Sequence, residues 1–130
     1  MNNYFQLLNL AKEASNYAYA PYSNFKVGAA VLFESKNIYS GCNVENSSYG
    51  LSLCAERNAI SNGISNGEHK IEKIAIFSPN TYLCFPCGAC RQWIMELSKD
   101  KNTEIILQDD SKDGIKIFSI DQLLPFAFSL

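Results

Sequence analysis

Lys26-Val27-Gly28-Ala29-Ala30-Val31-Leu32-Phe33, the polar turn Glu34-Ser35-Lys36, and the run from Asn37 to Asn43 decide how this chain folds. The two runs read as strands, and the turn between them makes a hairpin. Upstream, from Asn3 to Ala20, apolar residues at Phe5, Leu8, Ala11 and Ala18 follow a loose helical spacing until Pro21 ends it. Downstream, Cys54 to Ser61 reads as a helix stopped by Asn62-Gly63, and Ile71 to Phe77 as a short β-rich run. Cys87 to Ser98 reads as an amphipathic helix with Trp93, Ile94 and Leu97 inward. Glu104 to Leu107 and Ile115 to Phe118 are two further strands around the loop Asp109-Asp110-Ser111-Lys112-Asp113-Gly114. Ser119, with Gln122 three residues on, resembles a capping box for a last short helix that Pro125 ends. The order α-β-β-α-β-α-β-β-α predicts one α/β domain over residues 1–130, a mixed five-stranded sheet with helices on both faces.

The composition fits that size. With 130 residues, 47% hydrophobic and 18% charged, the chain has enough apolar mass for one core and no room for a second module. Its formal net charge of −2 argues against nucleic acid as a partner, since binding phosphate backbones needs a Lys/Arg surplus. No N-terminal apolar run reads as a signal peptide, and no stretch reaches the ~18 apolar residues of a membrane span. Five cysteines in such a chain point to a reducing compartment, the cytoplasm, as thiols or metal ligands rather than disulfides.

Two short strings carry the chemistry: Cys54-Ala55-Glu56 and Pro86-Cys87-Gly88-Ala89-Cys90. They offer three thiols and a carboxylate. Three protein ligands leave the fourth tetrahedral position of a zinc ion open for water, as a catalytic zinc requires. A carboxylate two residues after the first thiol is a natural general acid/base. Both strings open helices, where unpaired N–H groups and the dipole favour thiolate over thiol. Residues two apart on a helix point to nearly opposite sides, so Cys54 and Glu56 share a target only beyond the helix tip. A zinc ion with three thiolates carries net charge −1, and Arg57 and Arg91, each directly after a motif, are placed to offset it.

Other readings compete. Cys87 and Cys90 alone could be a dithiol redox pair, although that leaves Cys54-Ala55-Glu56 unused. Cys84 lies three before Cys87, so four thiols could close around a purely structural zinc in a non-catalytic binding module. Cys42, inside an expected strand, reads as a small buried hydrophobe, and His69 in a polar segment as a solvated loop residue. Tyr17, Tyr19, Tyr22 and Trp93 read as packing.

Cys-Ala-Glu-Arg followed by Pro-Cys-Gly-Ala-Cys-Arg-Gln resembles the zinc-dependent cytidine deaminases, in their small form with three cysteine ligands. The resemblance covers nearly the whole chain, taking in Tyr22 to Ala30, Gly41 to Asn46, and Leu123-Leu124-Pro125 with Phe128. It implies that Cys54, Cys87 and Cys90 bind one zinc ion and that Glu56 shuttles protons. It further implies that Asn43 and Glu45 hold the ribose, that Phe25 and Ala55 contact the base, and that Arg57 braces the thiolates. The implied reaction turns cytidine, and 2′-deoxycytidine, into uridine and ammonia in pyrimidine salvage. A cytosine-nucleoside antibiotic such as blasticidin S is the nearest rival substrate. The family is typically a homotetramer, in which Phe128 would enter a neighbouring subunit's site. The almost wholly apolar end, Leu123 to Leu130, is accordingly expected to be buried, within the subunit or against a neighbour. The sequence departs from the family pattern in two places: Phe85 stands where a small polar residue is common before the proline, and the tail stops at Leu130.

Overall fold

β1 (Gly28–Phe33) is buried along its whole length, and the other elements are arranged around it. The computed structural model describes residues 2–112 and 114–130; Asp113, in the loop expected before the last strand, lies outside them. β1 pairs antiparallel with β2 (Ile38–Cys42) on one side and with β3 (Ile71–Phe77) on the other. β3 runs parallel to β4 (Glu104–Gln108), which carries β5 (Ile115–Ser119) antiparallel at the edge. The five-stranded order is β2-β1-β3-β4-β5. Parallel neighbours need a crossover, and α3 (Gly88–Leu97) supplies it between β3 and β4.

Alternation along the strands produces three layers. Ala29, Val31 and Phe33 pack with Ala55, Ala59 and Ile60 of α2 (Ala55–Ser65) and with Ile94 of α3. Ala30 and Leu32 face the opposite way, onto Leu7, Leu8 and Ala11 of α1 (Asn2–Ser15). β3 divides likewise, with Ile74 and Ile76 on the first face and Ala75 and Phe77 on the second. A central strand covered on both faces must be apolar throughout, which is why Gly28–Phe33 carries no polar residue. α4 (Ile120–Leu123) opens on the expected capping box, with Gln122 N–H donating to Ser119 Oγ at 3.2 Å and Ser119 N–H to Gln122 Oε1 at 2.8 Å.

Several boundaries and faces differ from the sequence reading. α1 stops at Ser15 rather than running to Ala20, because the following residues pair with another segment. Tyr19 N–H donates to the Asn43 carbonyl at 3.0 Å, and Glu45 N–H to the Tyr19 carbonyl at 2.8 Å. This extends the β2 side of the sheet towards residues 43–45 and leaves Tyr17, Tyr19 and Tyr22 exposed rather than packed. The buried stripe of α1 is Leu7, Leu8 and Ala11, while Phe5 is exposed.

α2 does not stop at Asn62-Gly63. Gly63 is a packing glycine inside the helix, where a Cβ would stand 2.2 Å from the buried Phe33 ring. The true end is Asn66-Gly67: Gly67 adopts φ +94°, and the N–H groups of Gly67 and Glu68 satisfy the Ile64 and Gly63 carbonyls. On α3 the inward stripe is Cys90, Ile94 and Leu97. Trp93 lies about 60° around the helix from Cys90 and is 40% exposed, at the margin of the core rather than in it. Phe126, Phe128 and Leu130 are exposed on this single chain. Among the described residues no helix is long and apolar enough to cross a membrane.

Candidate active site

α2 and α3 each begin at a cysteine. Cys54 and Cys87 occupy the N-cap positions with extended backbone, yet neither side chain caps its helix, as Ser, Thr or Asp would there. Their sulfurs turn to each other instead, 3.9 Å apart, and with Cys90 they form a group whose ligand atoms all lie within 4.8 Å of one another. Tetrahedral zinc with Zn–S bonds of about 2.3 Å holds its sulfurs about 3.8 Å apart, so this donor set fits zinc. Among the described residues the group has three members; Cys84 is not one of them, and every cysteine is free of disulfide bonds.

Charge is already arranged around the sulfurs. The hydrogen bond from Cys90, with a smaller contribution from Arg57, pulls the Cys54 thiol down to about 5 against the effect of burial. Cys90 is pushed upward by that same hydrogen bond and by burial. Arg57 Nη2 donates to Cys54 Sγ at 3.5 Å, and its Nε is buried with no partner. Arg91 does not reach the sulfurs as expected. Its Nε donates to the Pro86 carbonyl at 2.8 Å and its Nη1 to the Leu123 carbonyl at 2.9 Å, tying the loop before α3 to the end of α4.

Glu56, in the first turn of α2, is 5% exposed. Burial pushes its carboxyl up to about 7, and the Cys54 charge adds to the rise. Cys54, Ala55, Glu56 and Cys87 border one cavity of about 380 Å³. Phe25, Asn43 and Glu45 line it too. A larger cavity of about 500 Å³ between α3, α4 and the chain end holds no cysteine, and the chemistry lies in the smaller one.

Asn43 locks the chain before β1: its Oδ1 accepts from Val27 N–H and its Nδ2 donates to the Phe25 carbonyl, each at 2.8 Å. Among the described residues its second amide N–H has no partner. Glu45 Oε1 accepts from Tyr22 N–H at 3.0 Å and Ser23 N–H at 3.1 Å, and its Oε2 from the Ser23 hydroxyl. That hydroxyl, with the two N–H groups, holds the carboxyl below its ordinary range, so it is ionised at neutral pH. Phe128 does not line this chain's cavity. It is 68% exposed, and its carbonyl accepts from Gln92 Nε2 at 3.0 Å.

Ser23, Val27, Ser52 and Leu53 also line the cavity, as do Phe85 and Cys84, the thiol that a closed four-cysteine site would have required. Ser52 and Leu53 directly precede Cys54, and Phe85 precedes Pro86-Cys87, so adjacency to a motif was the available signal. Cys84 is pushed up to about 11, chiefly by burial, and is an unreactive thiol in the cavity wall.

Residues 1–105 match the family model described as the cytidine and deoxycytidylate deaminase zinc-binding region. Cytidine deaminases of Sporosarcina psychrophila and Halalkalibacterium halodurans are each 40% identical over 124 and 123 residues, covering 95% of this chain and 90% and 92% of theirs. The crystal structure of cytidine deaminase from Burkholderia pseudomallei is similar with a TM-score of 0.87 and 42% identity, covering 95% of this chain and 98% of that one. That of the Mycobacterium tuberculosis enzyme has a TM-score of 0.86 at 36% identity, covering 98% of both chains. The family match takes in both helices that begin at a cysteine, the relatives cover 95% of the chain, and this chain belongs to the zinc-dependent cytidine deaminase family.

Proposed function

We propose that this protein hydrolyses the exocyclic amine of cytidine, giving uridine and ammonia, in pyrimidine salvage. The observation that carries the reading is the gathering of three thiols, two of which line one cavity with the buried carboxylate of Glu56 and with Asn43 and Glu45. The names of the relatives support it. Zinc on Cys54, Cys87 and Cys90 supplies, when bound, a water acidic enough to be a nucleophile near neutral pH. Glu56 takes a proton from that water and passes it to N3 of the base as oxygen adds at C4. It then carries the proton of the new hydroxyl to the amino group as the C4–N bond breaks, so one residue serves as base and then as acid.

The remaining residues bind and orient. Asn43 and Glu45 hold the ribose hydroxyls. An ionised carboxylate accepts hydrogen bonds from hydroxyls but repels a phosphate, which favours the free nucleoside over a nucleotide. Phe25 packs on the pyrimidine and Ala55 borders it. A spectrophotometric assay on cytidine, 2′-deoxycytidine, cytosine and CMP tests this reading. Turnover of the nucleosides without CMP is the expected result, and a zinc-loaded protein inert towards cytidine would overturn it.

Arg57 acts through the sulfurs, relieving the −1 charge of a three-thiolate centre. Arg57→Ala is expected to lower kcat/KM about 10–100-fold with zinc retained, the usual effect of removing a group that supports a metal ligand. Unchanged activity would remove that role.

Assembly completes the reading. We infer a homotetramer in the cytoplasm, with the exposed apolar end covered by neighbouring copies and Phe128 reaching a neighbour's cavity. Exposed Phe126, Phe128 and Leu130 support this, because an apolar cluster left in water is an aggregation hazard. Deleting residues 126–130 should weaken assembly and activity together, measured by sedimentation and by turnover at the same concentration. A fully active monomer at assay concentration contradicts it.

A further inference from the structure

Phe85 lines the cavity beside Cys87 and Glu56 and has no part in the proton transfers. Its ring is 42% exposed and is held in place from behind. The Phe118 ring of β5 lies 5.2 Å away at a tilt of 59°, and the Arg91 guanidinium sits 5.9 Å from the Phe85 centroid. Arg91 is itself fixed by its two carbonyl partners. The backbone is equally restrained: Phe85 N–H donates to the Leu83 carbonyl at 2.8 Å, and Leu83 N–H to the Gln108 carbonyl at 2.7 Å. Pro86 follows and confines residue 85 to extended conformations. The ring is therefore a fixed wall rather than a mobile flap.

Its place relative to the substrate follows from the reaction proposed above, on which this inference rests. C4 of cytosine lies at the zinc end of the cavity, flanked by N3 and C5. N3 must face Glu56, on α2. C5 then lies on the opposite flank. Two lining side chains, Cys84 and Phe85, belong to the loop between β3 and α3 that leads directly into Cys87. C5 carries only hydrogen and needs no hydrogen-bond partner, which suits a phenyl wall. We propose that Phe85 is a specificity-determining residue, its ring closing the cavity against C5 so that cytidine fits and C5-substituted cytidines are excluded.

The test compares kcat/KM for cytidine and 5-methylcytidine in zinc-loaded wild type, Phe85→Leu and Phe85→Ser. One methylene in an apolar pocket is worth about 10–200-fold in discrimination. The ratio of 5-methylcytidine to cytidine is expected to rise about tenfold or more in Phe85→Ser, and less in Phe85→Leu. Zinc content and melting temperature show that each variant is folded. If Phe85→Ser unfolds, Phe85→Leu, which keeps an apolar contact with Phe118, carries the test. An unchanged ratio in a folded, zinc-loaded variant overturns the proposal, as does a wild type that prefers 5-methylcytidine. A wild type inert towards cytidine but folded and zinc-loaded overturns the nucleoside reading, and this inference with it.

Discussion

Glu56→Gln is expected to keep its zinc and to lose about 10²–10⁴-fold in turnover, the range set by removing a positioned proton carrier. The amide has nearly the shape of the carboxylate, so the first turn of α2 and the wall of the cavity stay as they are. It cannot accept the proton of water, and it cannot return one to N3 or to the leaving amine. Because one group serves several transfers, no single step is left unaffected, and the upper part of the range is the more reasonable expectation. Folding should not suffer. The wild-type side chain is 5% exposed with its carboxyl pushed up to about 7, so the fold already disfavours the charged form that the substitution removes. The decisive measurements are kcat on cytidine, zinc per chain and melting temperature on the same sample. A variant with full zinc and near-normal kcat would show that another group moves the protons. His69, the sole histidine, is exposed in a distant loop and offers no substitute.

What was legible in the sequence divides along physical lines. Strands were legible because β1 and the Ile74-Ala75-Ile76-Phe77 stretch of β3 are buried on both faces and carry no polar residue. The capping box at Ser119 was legible because both of its hydrogen bonds are local. Failures came where a distant partner decided a local outcome. Gly63 reads as a helix stop until the Phe33 ring is seen occupying the space of its missing Cβ. Residues 16–20 read as helix until the backbone of residues 43–45 offers them better partners. Trp93 reads as core because apolar pattern alone does not separate the centre of a stripe from its margin. The cysteine strings announced their chemistry by spacing, whereas the grouping of Cys54 with residues 33 and 36 positions later depends on two helix tips meeting. Phe85 was visible only as an oddity beside a motif. Its orientation into the cavity is set by Phe118 and Arg91, which lie far from it or on the next helix.

Zinc removal is the other large effect, and it separates an open three-thiol site from a closed four-thiol one. Cys54→Ser, Cys87→Ser and Cys90→Ser should each bind zinc far more weakly, beyond the about 10–100-fold that losing a supporting partner costs, because a ligand itself is gone. Cys84→Ser and Cys42→Ser should bind it as wild type does. The geometry gives the reason: Cys54, Cys87 and Cys90 gather within 4.8 Å, while Cys42 ends β2 and Cys84 sits in the cavity wall with its thiol pushed up to about 11. Stability should follow occupancy, since a ligand at 100 times its Kd stabilises the folded state by about 2.7 kcal/mol. Chelation should therefore lower the melting temperature of wild type and Cys84→Ser alike, and leave that of Cys87→Ser nearly unchanged. Cys87 is the cleanest of the three to replace. Its side chain is exposed at the tip of α3, and serine is a better N-cap than cysteine, so lost zinc there is not a packing defect. Zinc lost from Cys84→Ser with Cys87→Ser still loaded would mean a different ligand set from the one these sulfurs form.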